Sequence, residues 1–399
     1  MRIGIIKETK TPPDSRVLLT PKQCATLITK YPQVEILVQP SPSRSYKDSE
    51  YTQAGITLQE DLSDCDILIG VKEQVIDTLI PNKKYFFFSH TAKEQEYNRT
   101  LLRAIVDKNI QLIDYEYLID TASKRVIAFG RWAGIVGAHN GILTWGKRTG
   151  KFDLKAMNQC KDFAEAQSYY PNVDLGTIKI VLTGTGRVAN GSAEVLDKMK
   201  IKKVPTKDFL SKTYNESVYC QLETEEMFKK ATDGSFDKAF YTDPEDYISS
   251  FEKYTEVADL MINGIYWDNR APVFFTKEDM KKESFNIKVI ADITCDIAPD
   301  SSIPSTLFAS TIAKPNFGYN ITTEKATEPF IEGVVDMMTV DNLPNELPRD
   351  ASEDFGNQFM DQVIEELIND GEMIFKASIT TKEGKLNKPF VYLADYINI

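Results

Sequence analysis

Histidine, paired cysteine and long apolar runs are scarce in this 399-residue sequence, and each shortage excludes a class of function. Only two histidines occur, His90 and His139, so a metal site with three histidine ligands is excluded and any imidazole chemistry falls on one of these two. The five cysteines are scattered without a CxxC spacing, which argues against a zinc or disulfide framework and favours a reducing cytoplasm. We therefore expect no metal centre.

Apolar runs and positive charge are also limited. No stretch approaches the roughly 18–20 apolar residues of a membrane span, and the start of the chain turns charged at Lys7 and Glu8 before a secretory apolar region develops. The formal net charge is -12, whereas nucleic-acid binding depends on basic surfaces that release counterions. We expect small-molecule substrates, no membrane or nucleic-acid partner, and a cytoplasmic location; the sequence leaves the oligomeric state open.

Strands and helices alternate regularly along the chain. The β-rich runs of the first third are Arg2–Ile6, Val34–Gln39, Cys65–Val71, Tyr85–Ser89 and Gln111–Tyr115. Helical patterns lie between them, at Pro21–Tyr31 and Glu94–Lys108. After a linking helix, about Gly134–Gly150, further strands follow at Thr177–Thr183, Leu260–Ile265 and Ile287–Ile293. The alternation predicts an α/β fold with two doubly wound Rossmann-like domains and a cleft between them.

Two segments depart from this alternation. Residues 208–259 are rich in Tyr, Phe, Lys and Glu, and we expect them to form a polar insertion in the second domain. The end of the chain has a long amphipathic helical pattern around Asp350–Asp370, followed by β-like segments that end in Phe390–Leu393.

The strongest local motif is GxGxxA, which runs from Gly184 to Ala189 between a hydrophobic strand and a helical pattern. Gly184 permits a tight turn, Gly186 lets the backbone approach a pyrophosphate, and the helix N-terminus supplies amide donors. The motif predicts a dinucleotide-binding turn; a tight strand-to-helix turn without a ligand is the alternative. The predicted cofactor-binding residues are Gly184, Thr185, Gly186, Arg187 and Val188.

The companion acidic residue of an NAD site is missing from its expected place. It should bind the ribose 2′-hydroxyl from the end of the next strand, which the sequence suggests is Ile201–Pro205. Lysines lie there instead and could neutralise a 2′-phosphate. We therefore expect NADP(H), with NAD(H) as the alternative if Asp208 reaches the ribose.

Charged residues stand where three of the predicted parallel strands end. Lys72 and Glu73 follow one strand, His90 follows the next, and Asp114 and Glu116 follow a third. Adjacent strand ends would bring them to one rim, where a partly desolvated lysine can lose its proton near neutral pH, as a histidine ordinarily does. We interpret Lys72 and His90 as an acid–base pair. The alternatives are a surface salt bridge from Lys72 to Glu73 and a helix-capping role for His90.

Arginines close to these strand ends are candidates for carboxylate binding. Arg16 lies in the loop after the first strand, and its planar fork suits bidentate binding of a substrate carboxylate. Arg125 and Arg131 are further candidates for the same contact, whereas His139, within the linking helix, is predicted to be structural. A solvated surface arginine is the alternative for Arg16.

These residues belong to longer stretches that resemble a known family. The stretches are Lys7–Pro21, Gly70–Lys72, Phe87–Thr91, Ala128–Gly134, Thr183–Gly186, Ile262–Trp267, Val340–Pro344 and Leu347–Pro348. Over nearly its whole length the chain resembles the alanine dehydrogenase and saccharopine dehydrogenase superfamily. It is most similar to the lysine–2-oxoglutarate reductase domain of the bifunctional lysine-degrading enzyme.

The resemblance implies that the ε-amine of lysine condenses with 2-oxoglutarate and that NADPH reduces the imine to saccharopine. It implies that Lys72 and His90 are the acid–base pair and that Arg16 binds a substrate carboxylate. We also expect substrate-binding roles for Glu73, Glu116, Arg125 and Arg131, and cofactor-binding roles for Asp292 and Asp341.

The resemblance also implies that the tail returns to complete the first domain. We expect residues 1–135 with about 320–399 to form the substrate domain, and about 136–319 to form the dinucleotide-binding domain. Two alternatives to the saccharopine reaction stay open. One is an alanine dehydrogenase-like enzyme acting on an amino acid, and the other is a catalytically silent dinucleotide sensor, suggested by the insertion.

Overall fold

The computed structural model describes residues 1–398, and the chain divides into two compact units. The first unit comprises Met1–Phe129 and the segment from Pro348 onward; the second is Gly130–Leu347. The return to the first unit therefore begins at Pro348 rather than near residue 320. The reason is that the strands within residues 316–338 belong to the second sheet.

Six parallel strands form the sheet of the first unit. They are β1 (Arg2–Ile5), β2 (Glu35–Val38), β3 (Thr57–Leu58), β4 (Ile67–Lys72), β5 (Lys84–Phe88) and β6 (Gln111–Ile113). The helices in this part of the chain are α1 (Pro21–Lys30), α2 (Asp48–Gln53) and α3 (Arg99–Asp107). The order is β3-β2-β1-β4-β5-β6 and every neighbouring pair runs parallel, which is the doubly wound arrangement.

Local sequence explains why these elements form. The strands are short apolar runs that are buried on both faces, as expected when helices cover a parallel sheet. Helix α1 begins with a capping box, because the Thr20 hydroxyl accepts from the Gln23 amide while the Gln23 side chain accepts from the Thr20 amide. Pro21 stands at its first turn, where a missing N–H costs nothing.

The second unit contains ten strands and seven helices. The strands are β7 (Lys179–Thr183), β8 (Lys202–Lys203), β9 (Val218–Leu222), β10 (Phe228–Lys230), β11 (Tyr247–Ser249), β12 (Leu260–Asn263), β13 (Val289–Asp292), β14 (Asn316–Asn320), β15 (Lys325–Thr327) and β16 (Val334–Met338). The helices are α4 (Gly130–Thr149), α5 (Phe163–Ser168), α6 (Arg187–Lys198), α7 (Thr206–Ser211), α8 (Thr224–Met227), α9 (Glu252–Thr255) and α10 (Lys277–Met280).

Eight of these strands form one sheet, in the order β15-β14-β16-β13-β12-β7-β9-β8. The run from β16 to β8 is parallel, and β14 and β15 extend it as an antiparallel edge. Strands β10 and β11 form a separate antiparallel pair. The predicted fold class, α/β with two doubly wound Rossmann-like units, is confirmed.

The stretch expected as a polar insertion, residues 208–259, is instead part of the second core. Strand β9 lies inside the sheet, where Cys220 pairs with Val181 of β7. Aromatic side chains of this stretch, including Phe228 and Phe251, are fully buried in the same apolar cluster as the sheet. The charged residues that suggested an insertion lie in the intervening turns and exposed positions.

Helices α4 and α6 pack unusually closely within the second unit. A Cβ placed on Gly134 would lie 1.8 Å from the carbonyl oxygen of Val188, and one on Gly191 would lie 2.1 Å from the carbonyl oxygen of Arg131. Backbone can approach backbone at this distance only where no side chain intervenes. The glycines of the linking helix therefore fix the position of α6, the helix that follows the GxGxxA turn.

The tail adds α11 (Pro348–Gln362), α12 (Ile364–Ile368), α13 (Glu372–Ala377) and α14 (Leu393–Ile397) to the first unit. The predicted amphipathic helix corresponds to α11 and α12. The β-like interpretation of Phe390–Leu393 is wrong: a 3-10 turn ends at Phe390 and α14 begins at Leu393. Apolar residues there are buried against the α3 side of the first core, so their run reflects burial and not pairing. Among residues 1–398, no helix combines the length and apolar character that crossing a bilayer needs.

Candidate active site

Polar side chains gather in the first unit where β4 and β5 end. The group consists of Lys10, Lys72, Glu73 and His90, and we call it the strand-end cluster. Lys72 is the last residue of β4, Glu73 follows it, and His90 comes two residues after β5. The structure thus brings the predicted acid–base residues to neighbouring strand ends, as the sequence indicated. Within residues 1–398, no group of three His, Cys, Asp or Glu side chains is arranged to hold a metal ion.

Lys72 sits at an irregular strand end that a carboxylate holds in place. The register between β4 and β5 shifts between Ile69 and Lys72. Beyond the end of β1, the amides of Val71 and Lys72 donate to the two carboxylate oxygens of Glu8, at 2.7 and 2.9 Å. Desolvation, with a smaller effect from the Arg16 charge, lowers the pKa of the Lys72 ammonium. A lysine in this environment releases its proton more readily than an exposed one.

Glu73 joins the cluster together. Its Oε1 lies 2.6 Å from Lys10 Nζ and 3.5 Å from His90 Nδ1. Desolvation alone would raise its pKa, but the hydrogen bonds from His90 and Lys10 outweigh it and lower the pKa of Glu73 to about 2. The carboxylate is therefore ionised at neutral pH. Among the described residues no salt bridge joins Lys72 to Glu73: Oε1 of that carboxylate contacts Lys10 and His90, and its buried Oε2 has no hydrogen-bond partner.

His90 adopts a backbone conformation that is uncommon for residues with a side chain. Its φ is 53° and its ψ 12°, in the left-handed region, which costs roughly 1–3 kcal/mol for a residue with a Cβ. The ring lies nearly parallel to that of Phe88, at 6.5 Å between centroids and an interplanar angle of 17°. His90 does precede a short 3-10 turn, but its side chain makes no capping hydrogen bond, so the helix-capping alternative does not describe its ring.

Arg16 is buried rather than solvated. Its exposed fraction is 4%, and its fork meets Asp14 twice: Nε donates to Oδ1 at 3.0 Å and Nη2 to Oδ2 at 2.6 Å. The guanidinium lies 4.3 Å from the ring centroid of Phe129. The bidentate pair and the aromatic contact hold Arg16 in one orientation. Asp14 was not identified from the sequence, although its spacing of two residues from Arg16 is a usable signal.

Glu116 and Arg125 lie together in the same unit. Glu116 Oε1 is 3.6 Å from Arg125 Nη2 and 3.4 Å from Lys93 Nζ. Arg131, in contrast, belongs to α4 of the second unit, where its guanidinium makes two 3.0 Å hydrogen bonds with Glu194. The structure therefore brings Glu116 and Arg125 together in the first unit, and it pairs Arg131 with Glu194 in the second.

The GxGxxA turn has the geometry of a phosphate cradle. Gly184 has a φ of +87°, and a Cβ on it would lie 3.2 Å from Ile265 Cα. A Cβ on Gly186 would meet no atom within 4 Å, so the space in front of this backbone is open. Gly186 caps the twelve-residue α6, whose first residues are Arg187 and Val188, and Thr185 is exposed beside it. Open space before the amides of a helix N-terminus fits an anionic phosphate group.

The strand next to β7 is not the one that the sequence suggested. Strand β9 lies between β7 and β8, so β8 is an edge strand of two residues. The Gly184 amide donates to the carbonyl of Leu222, the last residue of β9, and the exposed residue that follows is Glu223. An acidic residue therefore does stand beside the turn, and the argument for NADP(H) from its absence rested on the wrong strand. Lys203 of the edge strand donates to Gln221 at 2.8 Å.

The two aspartates predicted to contact the cofactor differ in exposure. Asp292 is fully buried, and its oxygens accept from Asn263, Thr294 and Thr306 at 2.9, 2.7 and 2.6 Å. Burial raises its pKa. Asp292 thus organises the carboxyl ends of β12 and β13 from inside, whereas Asp341 is exposed. His139 is buried against Tyr170 and the carbonyl of Lys155, consistent with the structural role predicted for it.

Comparisons with known proteins bear on the family. Residues 4–136 match the family model described as Alanine dehydrogenase/PNT, N-terminal domain. Alpha-aminoadipic semialdehyde synthase of Arabidopsis thaliana is 30% identical in an alignment that covers 86% of this chain and 36% of the relative. The mouse protein of that name is also 30% identical, over 90% of this chain and 44% of its own length. The chain therefore spans about two fifths of the length of these relatives.

A shorter relative matches over most of both chains. Saccharopine dehydrogenase [NAD(+), L-lysine-forming] of Emericella nidulans is 25% identical over 87% of both chains. Among solved structures, an L-alanine dehydrogenase matches with a TM-score of 0.63 at 17% identity, covering 100% of this chain and 99% of its own. The transhydrogenase from Sinorhizobium meliloti matches with a TM-score of 0.58 at 11% identity, over 97% of this chain and 100% of its own. At these sequence identities the two solved structures support the fold alone. The predicted resemblance to the alanine dehydrogenase and saccharopine dehydrogenase superfamily, and its closeness to the lysine–2-oxoglutarate reductase domain, is confirmed.

Proposed function

Starting from membership of the alanine dehydrogenase and saccharopine dehydrogenase superfamily, we propose that this chain joins L-lysine to 2-oxoglutarate by reductive condensation, or catalyses the reverse oxidation of saccharopine. The observation that carries the proposal is the strand-end cluster of the first unit. It holds a desolvated lysine, Lys72, next to a Glu73–His90 pair, with the anchored guanidinium of Arg16 in the same unit. Imine formation and hydrolysis need groups that both give and take protons, and a carboxylate substrate needs a fixed cation.

The roles of the side chains follow from their protonation. In the condensation the lysine amine adds to the keto carbon and gives a carbinolamine. Proton transfer to its hydroxyl then lets water leave, and the imine forms. We assign Lys72 to proton transfer at the attacking amine, because its lowered pKa lets it accept and return a proton. His90, whose Nδ1 faces ionised Glu73, is assigned to proton transfer at the departing oxygen. Arg16 binds a carboxylate of the 2-oxo acid.

The residues of the second unit fit a nicotinamide dinucleotide. Gly186 leaves open space before the first amides of α6, and Gly184 forms the tight turn that precedes it. When bound there, a reduced dinucleotide would supply the hydride that saturates the imine carbon. These residues bind and orient it through backbone amides.

We propose further that the preferred dinucleotide is NAD(H), because Glu223 stands at the end of the strand beside the turn. A carboxylate accepts a hydrogen bond from a ribose 2′-hydroxyl and repels a 2′-phosphate. Wild-type protein should give a higher kcat/KM with NADH than with NADPH, and Glu223→Gln should narrow the ratio by about tenfold, the effect of 1.4 kcal/mol. Glu225→Gln, an exposed neighbour on α8, is the matched control. A wild-type preference for NADPH would refute the assignment.

The reaction itself is tested by following the absorbance of NADH and NADPH with pairs of substrates. Oxidation with 2-oxoglutarate and L-lysine, together with a product of the mass of saccharopine, is the expected result. Oxidation only with pyruvate and ammonia would instead make the chain an alanine dehydrogenase-like enzyme. Binding of a dinucleotide without turnover of any substrate pair would favour the silent sensor. The reason for considering a sensor was the expected insertion at residues 208–259, and it is weaker because these residues belong to the second core.

A further inference from the structure

A buried carboxylate in the first unit lies behind the strand-end cluster. Asp114 follows β6, is fully buried, and its side chain accepts three hydrogen bonds. Its Oδ2 accepts from the Ser89 amide at 2.9 Å and from the Ser89 hydroxyl at 2.5 Å, and its Oδ1 accepts from the Glu116 amide at 2.8 Å. One side chain thus ties the end of β5 to the end of β6, the two strand ends that carry His90 and Glu116.

The same network encloses the strained backbone of His90. The Ser89 hydroxyl, bound to Asp114, also lies 2.8 Å from the Thr91 hydroxyl, and the Thr91 amide donates to it at 3.3 Å. The residues on both sides of His90 are therefore connected through one hydroxyl to one buried carboxylate. On the other side, Asn98 Nδ2 donates to the His90 carbonyl at 3.4 Å. We call Asp114, Ser89 and Thr91 the Asp114 network.

The position of this network explains how an unfavourable conformation persists. A histidine leaves the left-handed region unless its surroundings outweigh the strain, and such strained residues persist where neighbouring contacts fix them. In that conformation the His90 ring stacks on Phe88 and its Nδ1 faces Glu73. Rotation of the backbone to the right-handed region would carry the ring away from both contacts. Among the described residues no salt bridge joins Asp114 to a cation, and its side chain is held by the hydrogen bonds from Ser89 and from the Glu116 amide.

We propose that Asp114 is a positioning residue that holds His90 in its left-handed conformation, and with it the contact between His90 and Glu73. The expected effect on turnover rests on the function proposed above, whereas the conformation of His90 can be measured in protein that turns over no substrate. It assigns Asp114 no contact with substrate or cofactor. Its action passes through the Ser89 hydroxyl and amide, and a second arm fixes the backbone of Glu116.

The scarcity of histidine makes the proposal directly measurable. With ¹³C-labelled histidine the protein gives ring signals from His90 and His139 alone. His139 lies in the second unit and is buried against Tyr170, so its signal is an internal reference, while the dispersion of the backbone amide signals of the first unit reports whether a variant is folded there. Substitution Asp114→Asn should shift or broaden the His90 ring signal, weaken its cross-relaxation with Phe88, and leave the His139 signal in place. Asp107→Asn, an exposed position on α3, should move neither signal.

Turnover supplies the second readout. If Asp114 positions His90, Asp114→Asn should lower kcat by about 10²-fold, the size of effect that a misplacement near 1 Å produces, and change KM less. A native His90 signal in folded Asp114→Asn protein would overturn the proposal, whatever its activity. An absence of turnover in wild type would refute the proposed function while leaving the His90 measurement valid.

A second variant covers the case in which Asp114→Asn does not fold, which collapsed dispersion of the backbone amide signals of the first unit would reveal. Ser89→Ala removes the hydroxyl that joins Asp114 to Thr91 and keeps the buried carboxylate with its two amide donors. It should shift the His90 signal in the same direction but by less. An unchanged His90 signal in Ser89→Ala would overturn the proposal in that case.

Discussion

The parallel strands of the two sheets present different chemistry at their carboxyl ends. The first sheet ends in charged side chains, among them Lys72, Glu73 and His90, and carboxylates hold their backbones in place. The second ends in glycine and amide groups at Gly184 and Asn263, with Asp292 buried and hydrogen-bonded and Glu223 exposed beside the turn. Under the proposed function, one fold thus provides one edge whose side chains transfer protons and another whose backbone binds the dinucleotide. Single substitutions should therefore act differently on the two edges.

Removing a charged side chain from the first edge should have the largest effect. Lys72→Met should lower kcat by roughly 10²–10⁴-fold, because proton transfer at the amine loses its carrier. The dissociation constant of the dinucleotide, measured by its fluorescence on titration, should stay within about twofold because that site lies in the second unit. Lys124→Met, at an exposed lysine of the first unit, is the control. Comparable losses in both variants would contradict a specific role for Lys72.

At the second edge a single methyl group should disrupt binding. Gly184→Ala imposes a left-handed alanine, at a cost of about 1–2 kcal/mol, and places Cβ 3.2 Å from Ile265 Cα. We expect dinucleotide affinity to fall by about tenfold or more. Gly150→Ala is a matched control, since Gly150 also has a positive φ, +64°, but a Cβ there meets nothing within 4 Å. Equal affinities in the two variants would show that the turn does not bind the cofactor.

The charge on the first edge should also be visible in stability at acid pH. Hydrogen bonds lower the pKa of Glu73 to about 2 in the folded protein, whereas its pKa in the unfolded chain is near 4.5. The contribution of Glu73 to the free energy of unfolding is therefore complete above pH 4.5 and is lost as the pH falls toward 2. Relative to Glu73→Gln, wild type should lose about 2–3 kcal/mol of unfolding free energy between pH 5 and pH 2. Urea titrations at a series of pH values measure it. A difference that does not change with pH would contradict the lowered pKa.

A buried carboxyl group of the second unit, Glu346, should change the free energy of unfolding with the opposite sign, and by a smaller amount between pH 6 and pH 8. Burial raises the pKa of Glu346 to about 7, so its stabilising protonated form is lost as the pH rises through 7. Glu346→Gln keeps an oxygen for the Asn140 amide, which donates to Glu346 at 2.8 Å. Between pH 6 and pH 8 the variant should gain about 1 kcal/mol relative to wild type. If the stability of Glu346→Gln relative to wild type fell between pH 6 and pH 8, the raised pKa of Glu346 would be refuted.

The fold was predictable where a run of apolar residues was long enough to identify an element. All five strands predicted for the first third exist, whereas β3, with only Thr57 and Leu58, was missed because two residues carry no pattern. Strand β9 was missed because Val218–Leu222 lies among charged residues, and sequence alone does not tell which strand lies beside β7. That single misplacement in strand order removed the argument on which the expectation of NADP(H) rested.

The site was predictable to the level of strand ends and no further. Lys72, Glu73 and His90 were identifiable because parallel strands end on one edge of a sheet. Glu8 and Asp114 were not assigned their roles, because these depend on which backbone amides are left unpaired at the irregular strand ends. Such amides are a property of three-dimensional register and not of composition.

The close packing of α4 against α6 has a consequence for the order of folding. Helix α4 contains five glycines in twenty residues, and each costs roughly 1 kcal/mol of helix propensity relative to alanine. Isolated, this segment should remain a coil, and its helical form should arise only as the second sheet provides a surface on which glycine is an advantage. In pulsed hydrogen exchange during refolding, we expect the amides of α4 to gain protection together with those of β12 and β13, and never before them.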